Sequence, residues 1–275
     1  MKSLTVVLAL PLFVLTGCPR QEKALTLGEA TEALQQASDA GQAEGLTAAS
    51  VDISTHFTIG QAVKEGAAEL GEFVRSQLPC ADVTLEAATL TVVYGAKAGS
   101  CSYNGHRFTG THIMSVERNE DASVAVHHEW IDLSNGVVSL DGTADVTWNL
   151  SQNTRRVEHE SHWTHLASGR TGVGSGDRVQ SVLEGGLAEG IQVDGARAWD
   201  GERGHWDLAI EGVQMRWTDP VPQAGSYTLS TPFDKTLSMS FRRVDDDTIQ
   251  VTVAGPKHEF SFTVSKAGAI AEDNG

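Results

Sequence analysis

The chain has 275 residues, of which 40% are hydrophobic, and it carries a formal net charge of −16. A chain of this length and composition can bury a sizeable core, and when it is rich in β-structure it often forms one domain. Its isoelectric point is near 4.9, and no basic cluster interrupts the sequence, so binding to nucleic acid or to anionic lipid headgroups through charge is not expected.

A short apolar run follows the N-terminus. Leu4–Leu15 comprises twelve mostly apolar residues, too few for a transmembrane helix of about 20 residues but typical of a signal peptide. The run ends in Leu15-Thr16-Gly17-Cys18, which resembles the lipobox of bacterial lipoproteins. The resemblance implies a signal peptide over residues 1–17, cleavage before Cys18 and acylation of that cysteine, for example with palmitate. An ordinary secretory signal with a chance cysteine is the alternative.

The anchor has consequences for location and for the other cysteines. Since Pro19 rather than Asp follows Cys18, the resemblance implies a cell-envelope protein held at the outer membrane, with membrane contact through the lipid alone. Cys80 and Cys101 are then the remaining cysteines, and in an oxidising compartment we expect them to form a disulfide rather than two free thiols. A metal or redox pair is less favoured, because neither has a second cysteine two residues away.

Residues 18–25 are predicted to be a lipidated tether and residues 26–80 a helical segment. Thr26-Leu27-Gly28-Glu29 is a capping-box pattern that opens a first helix. Gly41 and Gly45 are expected to end this helix.

The second half of the helical segment has two further patterns. Val51–Phe57 alternates apolar and polar residues and predicts a short strand. Thr58–Gln61 repeats the capping-box pattern, and behind it apolar residues recur at helical spacing from Ile59 to Leu78 until Pro79 ends the run.

From residue 81 the apolar pattern changes to alternation and predicts an antiparallel β domain over residues 81–266. The clearest strand is Val138–Leu150, with one apolar and one polar face. A change of apolar parity at Gly212 predicts a β-bulge. Gly172–Gly176 is interpreted as a flexible loop, and residues 267–275 as a disordered tail.

The expected fold class is mainly β with a small helical N-terminal part. An extended antiparallel meander would form a curved sheet, a sandwich or an unclosed barrel, because one-sided strands must cover their apolar face. The two N-terminal helices would pack on it.

Three histidines, His159, His162 and His165, have a spacing that suggests a zinc site. On a straight strand, however, His159 and His165 would share one face about 20 Å apart while His162 points to the other. Zinc ligands lie within about 2.1 Å of one ion, so we predict no metal site and no cofactor here.

A second histidine cluster depends on strand pairing. If Phe108–Val116 and Val124–Trp130 form a hairpin around Glu120, His112 lies opposite His128. Extending that register places Gly142 and Trp163 in the same inner row, with an aromatic ring over a glycine. The two histidines would be a pH-sensitive pair, half of a metal site, or simply hydrogen-bonded core residues.

The six tryptophans all fall in the predicted β domain. Trp199 and Trp206 flank a turn at Asp200-Gly201, on strands expected to pair. Their rings would form either a platform for a sugar or another apolar ligand, or ordinary core packing. The candidate ligand-facing residues are therefore His112, His128, Trp163, Trp199 and Trp206.

No nucleophile–base pair or set of metal ligands stands out in the sequence. Its β region resembles uncharacterised bacterial lipoproteins in general sequence character. The favoured function is a non-enzymatic, lipid-anchored envelope protein whose β domain binds a protein, glycan or apolar ligand, or has a structural role. One alternative is a carrier of apolar ligands or lipoprotein cargo in an unclosed-barrel cavity. A periplasmic or surface hydrolase is the other.

Overall fold

A computed structural model describes residues 23–54, 63–103, 105–118, 124–149, 152, 154–186, 189–216, 219–265 and 269–272. It confirms the expected class: two helices accompany an antiparallel meander that is not closed. The predicted signal peptide, Cys18 and Trp217 lie outside the described residues, as does the predicted turn at Glu120.

The helices are α1 (Leu27–Ser54) and α2 (Val63–Gln77). The strands are β1 (Asp82–Glu86), β2 (Thr89–Tyr94), β3 (Ser102–Tyr103), β4 (His106–Arg107), β5 (Thr109–Arg118), β6 (Val124–Ser134), β7 (Val138–Asn149), β8 (Thr154–His165), β9 (Thr171–Val182), β10 (Ile191–Gly201), β11 (Gly204–Arg216), β12 (Asp219–Ser230), β13 (Thr236–Arg243), β14 (Thr248–Gly255), β15 (His258–Ser265) and β16 (Ile270–Glu272). Strand β16 lies within the stretch expected to be a disordered tail.

The sheet follows the order of the chain. Strands β3 and β4 form a separate hairpin, and the other fourteen strands pair antiparallel in sequence, from β1 at one edge to β16 at the other. Helix α1 contacts both β6 and β14, although seven strands lie between them in the sheet. The sheet therefore curves round α1, and the buried residues of helix and strands form one core.

Helix α1 begins as predicted but ends later. Thr26 N–H donates to Glu29 Oε2 at 2.9 Å, and Glu29 N–H donates to Thr26 Oγ1 at 3.3 Å, which confirms the capping box. The helix continues through Gly41 and Gly45 to Ser54, so the predicted helix end and the strand predicted from Val51 are wrong. Burial inside the sheet outweighs the intrinsic cost of the two glycines.

Replacing Gly45 by Ala is expected to raise the free energy of unfolding by about 0.5–1 kcal/mol, because alanine loses less backbone entropy in a helix. A Cβ atom at this position would meet no atom within 4 Å. Denaturant unfolding measures the effect. Destabilisation by Gly45→Ala would contradict a continuous helix through this position.

Helix α2 ends at Gln77, before Pro79, as predicted. The capping-box pattern at Thr58–Gln61 lies outside the described residues. Just beyond α2, Cys80 and Cys101 form the expected disulfide, with 5.3 Å between their Cα atoms and a sequence separation of 21. The bond ties the end of α2 to the connection between β2 and β5.

Replacing both Cys80 and Cys101 by Ala is expected to lower the free energy of unfolding by about 3 kcal/mol, because the unfolded chain gains loop entropy. Reduction of the wild-type protein should give a loss of similar size. A reductant that further destabilises the double variant would show that its effect on the wild type is not due to this disulfide.

Strand β9 occupies the glycine-rich stretch interpreted from the sequence as a loop, so that interpretation is wrong. The glycines supply space for rings of the neighbouring strand. A Cβ at Gly172 would lie 2.4 Å from the ring of Trp163, and one at Gly176 would lie 2.3 Å from the ring of His159. Both distances are shorter than any tolerable contact, so these side chains require glycine opposite them.

The β-bulge predicted at Gly212 is confirmed. The pairing of β10 with β11 shifts between Val193 and Gly195, where β11 has one residue more than β10. Gly212 adopts a positive φ of 58°, and its N–H donates to Asp194 Oδ1 at 2.6 Å. The bulge keeps the apolar side chains on both sides of it directed to the core.

Candidate functional site: a buried ionic network and an outer groove

Acidic residues along α1 meet basic residues on the inner face of the sheet and in its connections. Lys235 Nζ forms an ion pair with Glu29, and Arg170 Nη2 lies 3.3 Å from Glu32 Oε2. Farther along the helix, Arg155 Nη2 donates to Asp52 Oδ1 at 2.9 Å. The helix is thus held in the sheet by charge as well as by apolar packing.

Glu44 is the centre of this network. Its carboxylate pairs with the Arg178 guanidinium and lies 3.3 Å from His159 Nε2. Burial alone would raise the pKa of Glu44, but the charges of Arg178, His159 and Arg197 outweigh burial and hold it below its usual value. The carboxylate is therefore ionised in a site where an unpaired charge would be very costly.

Arg197 lies beside Glu44 and has a different set of partners. Its Nη2 donates to the carbonyl of Ala37 at 3.2 Å, and its guanidinium lies 5.6 Å from the ring centroid of Trp199 and 5.8 Å from that of Tyr227. The adjoining cavity has a volume of only about 20 Å³, enough for a water molecule but not for an apolar ligand. The interface between α1 and these strands is packed.

His112 and His128 lie on the inner face, but not directly opposite each other. His112 pairs with Trp130, and His128 pairs with Met114, so the predicted register is wrong by two residues. The two imidazoles are still neighbours: His112 Nε2 lies 2.8 Å from His128 Nδ1, and Tyr94 Oη lies 3.3 Å from His112 Nδ1. Burial lowers the pKa of His112 to about 3.

The pKa of His128 is also well below its usual value. Burial is the largest cause, followed by the charges of His112, Arg155 and His127. Both histidines are therefore neutral in the fold, with a hydrogen on one nitrogen of each ring. His128 Nε2 is buried without a hydrogen-bond partner among the described residues. The rest of the predicted row is different too, because Gly142 pairs with Trp130 and Ser161, and the ring of Trp163 packs over Gly172.

All five candidate ligand-facing residues are buried. Their exposed fractions are 0% for His112, 0% for His128, 4% for Trp163, 2% for Trp199 and 0% for Trp206. The rings of Trp199 and Trp206 are stacked at 6.0 Å, and Trp199 Nε1 donates to Gln36 Oε1 of α1 at 3.4 Å. These rings are part of the core, and any ligand contact by them stays a prediction.

The three histidines of β8 alternate between the two faces, as predicted. His159 is buried, whereas His162 is exposed. Among the residues that the structure describes, no group of three or more histidine, cysteine or acidic side chains is placed to hold a metal ion.

A groove of about 740 Å³ crosses the opposite, outer face of the sheet from β7 to β12. Two neighbouring rows of paired residues form it. The first row is Thr143, Glu160, Ser175, Ala198, Asp207 and Ser230. The second row is Asp145, Glu158, Asp177, Ala196, Ala209 and Thr228.

Small side chains of β9 to β11 form the floor of this groove, and acidic side chains stand on both sides. Glu160 on β8 and Asp207 on β11 are about 14 Å apart, since neighbouring strands lie about 4.8 Å apart. Arg156 binds Asp177 through two hydrogen bonds of 2.8 and 2.6 Å, which lower the pKa of that carboxyl. Arg156 also lies 3.1 Å from Glu158, and His205 lies 3.2 Å from Asp207. The groove keeps an acidic character because its carboxylates outnumber these basic side chains.

The groove is not apparent from the sequence alone. Its signal is the run of small residues at alternate positions, Ala196 and Ala198 on β10 with Ala209 on β11, but the strand register is needed to place them side by side.

No helix within the described residues is long and apolar enough to cross a membrane. Comparison with protein-family models, with curated proteins and with solved structures finds no match to this chain.

Proposed function

We propose that the chain is a lipid-anchored cell-envelope protein whose β domain is a binding module rather than an enzyme. The anchor is Cys18, proposed from the lipobox, and the contact surface is the outer groove. The observation that carries the binding role is the contrast between the two faces of the sheet. Helix α1 and its ion pairs occupy the inner face, whereas the outer face has an open groove of about 740 Å³.

The groove suits a cationic segment of a partner protein better than an apolar ligand. Its floor is made of small side chains such as Ala198, which allow close approach of an extended chain. The carboxylates at its sides, Glu158, Glu160 and Asp207, complement lysine or arginine side chains. Within the described residues, the tight packing of α1 around Glu44 and Arg197 weighs against the alternative of an apolar-cargo carrier, which needs an apolar cavity.

An oligolysine peptide tests this surface. The double variant Glu158→Gln/Glu160→Gln is expected to bind the peptide about tenfold more weakly, because each lost charge contact weakens binding by up to about 1 kcal/mol. Isothermal titration calorimetry at low salt measures the affinity.

The double variant Asp245→Asn/Asp246→Asn is the matched control. It removes the same charge from an exposed turn away from the groove, and it is expected to bind the peptide as the wild type does. An equal loss of affinity in both double variants would show that only the overall negative charge attracts the peptide, and would contradict a groove-specific site.

A further inference from the structure

The sheet has two chemically different ends. In a meander, successive connections alternate between the two ends of the strands, so half of them lie together. One end carries residues 95–108, 135–137, 166–170, 202–203, 231–235 and 256–257. The described chain also enters here, because Leu25 N–H donates to the carbonyl of Pro256 at 2.9 Å. We call this the tether end and the opposite one the far end.

The connections at the tether end carry mostly basic residues, whereas the described connections at the far end carry acidic ones. With residues 23–26 included, the tether end has seven basic and two acidic residues. The basic residues are Lys23, Lys97, Arg107, Arg170, Arg203, Lys235 and Lys257. The described connections of the far end have five acidic residues and no basic one: Glu184, Glu189, Asp245, Asp246 and Asp247.

Four of the seven basic residues form ion pairs with neighbouring carboxylates: Lys97 with Asp82, Lys235 with Glu29, and both Arg170 and Arg203 with Glu32. The Arg203 pair is long, at 4.0 Å, and Arg203 is exposed. Lys23, Arg107 and Lys257 are exposed as well. An acidic protein with a net charge of −16 thus presents exposed positive charge where its chain enters the fold.

Exposed apolar side chains accompany this charge. Leu166 is 50% exposed and Val137 is 44% exposed, and the N–H of Leu166 donates to the carbonyl of Val137 at 2.8 Å, so the two connections lie side by side. Leu27, at the start of α1, is 37% exposed. Apolar tips among basic residues are the combination that inserts into the interface of an anionic bilayer.

We propose that the tether end rests on the membrane surface and contacts anionic lipid headgroups. This inference rests on the proposed anchor at Cys18. The seven residue-to-residue steps from Cys18 to Leu25 span at most about 24 Å when fully extended. The strands are about 40 Å long, so this reach is too short to turn the far end toward the bilayer. If the domain lay with its outer groove against the bilayer, the anionic lipid headgroups would repel the acidic side chains of the groove.

The experiment uses the full-length acylated protein in phosphatidylcholine vesicles that contain phosphatidylglycerol and a nitroxide-labelled lipid. A fluorophore is attached to Leu166→Cys at the tether end or, as the matched control, to Val244→Cys at the far end, where the valine is 55% exposed. Quenching of the label at position 166 is expected to exceed that at position 244 about threefold or more, and to weaken in phosphatidylcholine alone or at high salt.

Charge variants separate the contact from the anchor. Lys257→Gln with Arg203→Gln should reduce quenching at position 166, whereas Arg242→Gln, an exposed arginine on β13, should not. Equal quenching at both labels in protein that floats with the vesicles would overturn the docking while leaving the anchor intact. Protein that fails to float and has no acyl group on Cys18 would overturn the proposed anchor, and the docking with it.

Discussion

Replacing Glu44 by Gln is expected to lower the free energy of unfolding by about 3–5 kcal/mol, because it leaves buried guanidinium groups without their carboxylate. Glu44 is the acidic partner of Arg178 and lies beside His159, and both Arg178 and His159 are buried. Denaturant unfolding with circular dichroism measures the change.

The exposed pair Arg156–Asp177 is the matched control for this change. Its nitrogen and oxygen atoms are as close as 2.6 Å, but both side chains are about half exposed. Asp177→Asn should therefore destabilise the protein by less than about 1 kcal/mol. The double variant Glu44→Leu/Arg178→Met, which removes both buried charges, should recover much of the loss. A loss at Glu44 no larger than the loss at Asp177 would contradict the buried network.

Acid is expected to destabilise the protein through His112 and His128. Both pKa values are lowered in the fold, His112 to about 3, whereas an unfolded histidine titrates near 6.5. Between these values the unfolded chain binds more protons than the folded chain, so stability falls as the pH decreases below about 6.5. For His112 the loss between about pH 7 and about pH 5 is about 2 kcal/mol, and His128 adds to it in the same direction.

Another buried group, Asp52, titrates in the same pH range. Burial raises the pKa of Asp52 to about 6 against the opposing charge of Arg155, and this favours the folded state as the pH falls. The test therefore compares slopes between proteins: His112→Phe/His128→Phe should have a flatter dependence of unfolding free energy on pH than the wild type. Parallel curves for the two proteins would rule out the histidine pair as the acid-sensitive element.

Local patterns predicted much of this fold. The capping box at Thr26, the helix stop before Pro79 and the bulge at Gly212 each depend on a few neighbouring residues, and the structure confirms all three. The alternation of apolar and polar residues likewise predicted which side chains lie on each face of β8. Successive side chains of a strand point to opposite faces because of the strand's own backbone, without help from distant residues.

Features that depend on distant partners could not be predicted in the same way. Gly45 is an unfavourable helix residue, and only the surrounding sheet explains why α1 continues through it. Glycines at 172 and 176 indicate a loop until the rings of Trp163 and His159 are placed over them. Glu44 looks like a solvent-exposed acid, because Arg178 is more than a hundred residues away in the sequence.

The groove and the charge difference between the two ends of the sheet could not be predicted for the same reason, because they too depend on residues far apart in the sequence. Each strand contributes only one or two small or acidic residues to the groove, and each connection at most two basic residues to the tether end. The net charge of the chain suggested that headgroup binding was disfavoured, since it averages over both ends. Pairing fourteen strands in order is what separates acidic connections from basic ones.

The proposed orientation of the β domain depends on the lipid anchor at Cys18. Mass spectrometry of the mature protein purified from membranes is the most direct test. A chain that begins at Cys18 with a diacylglyceryl group on its sulfur is the predicted result, and Cys18→Ser should release the protein from the membrane fraction. A mature chain that begins at any other residue, or an unmodified Cys18, would show that the protein is not anchored through this cysteine.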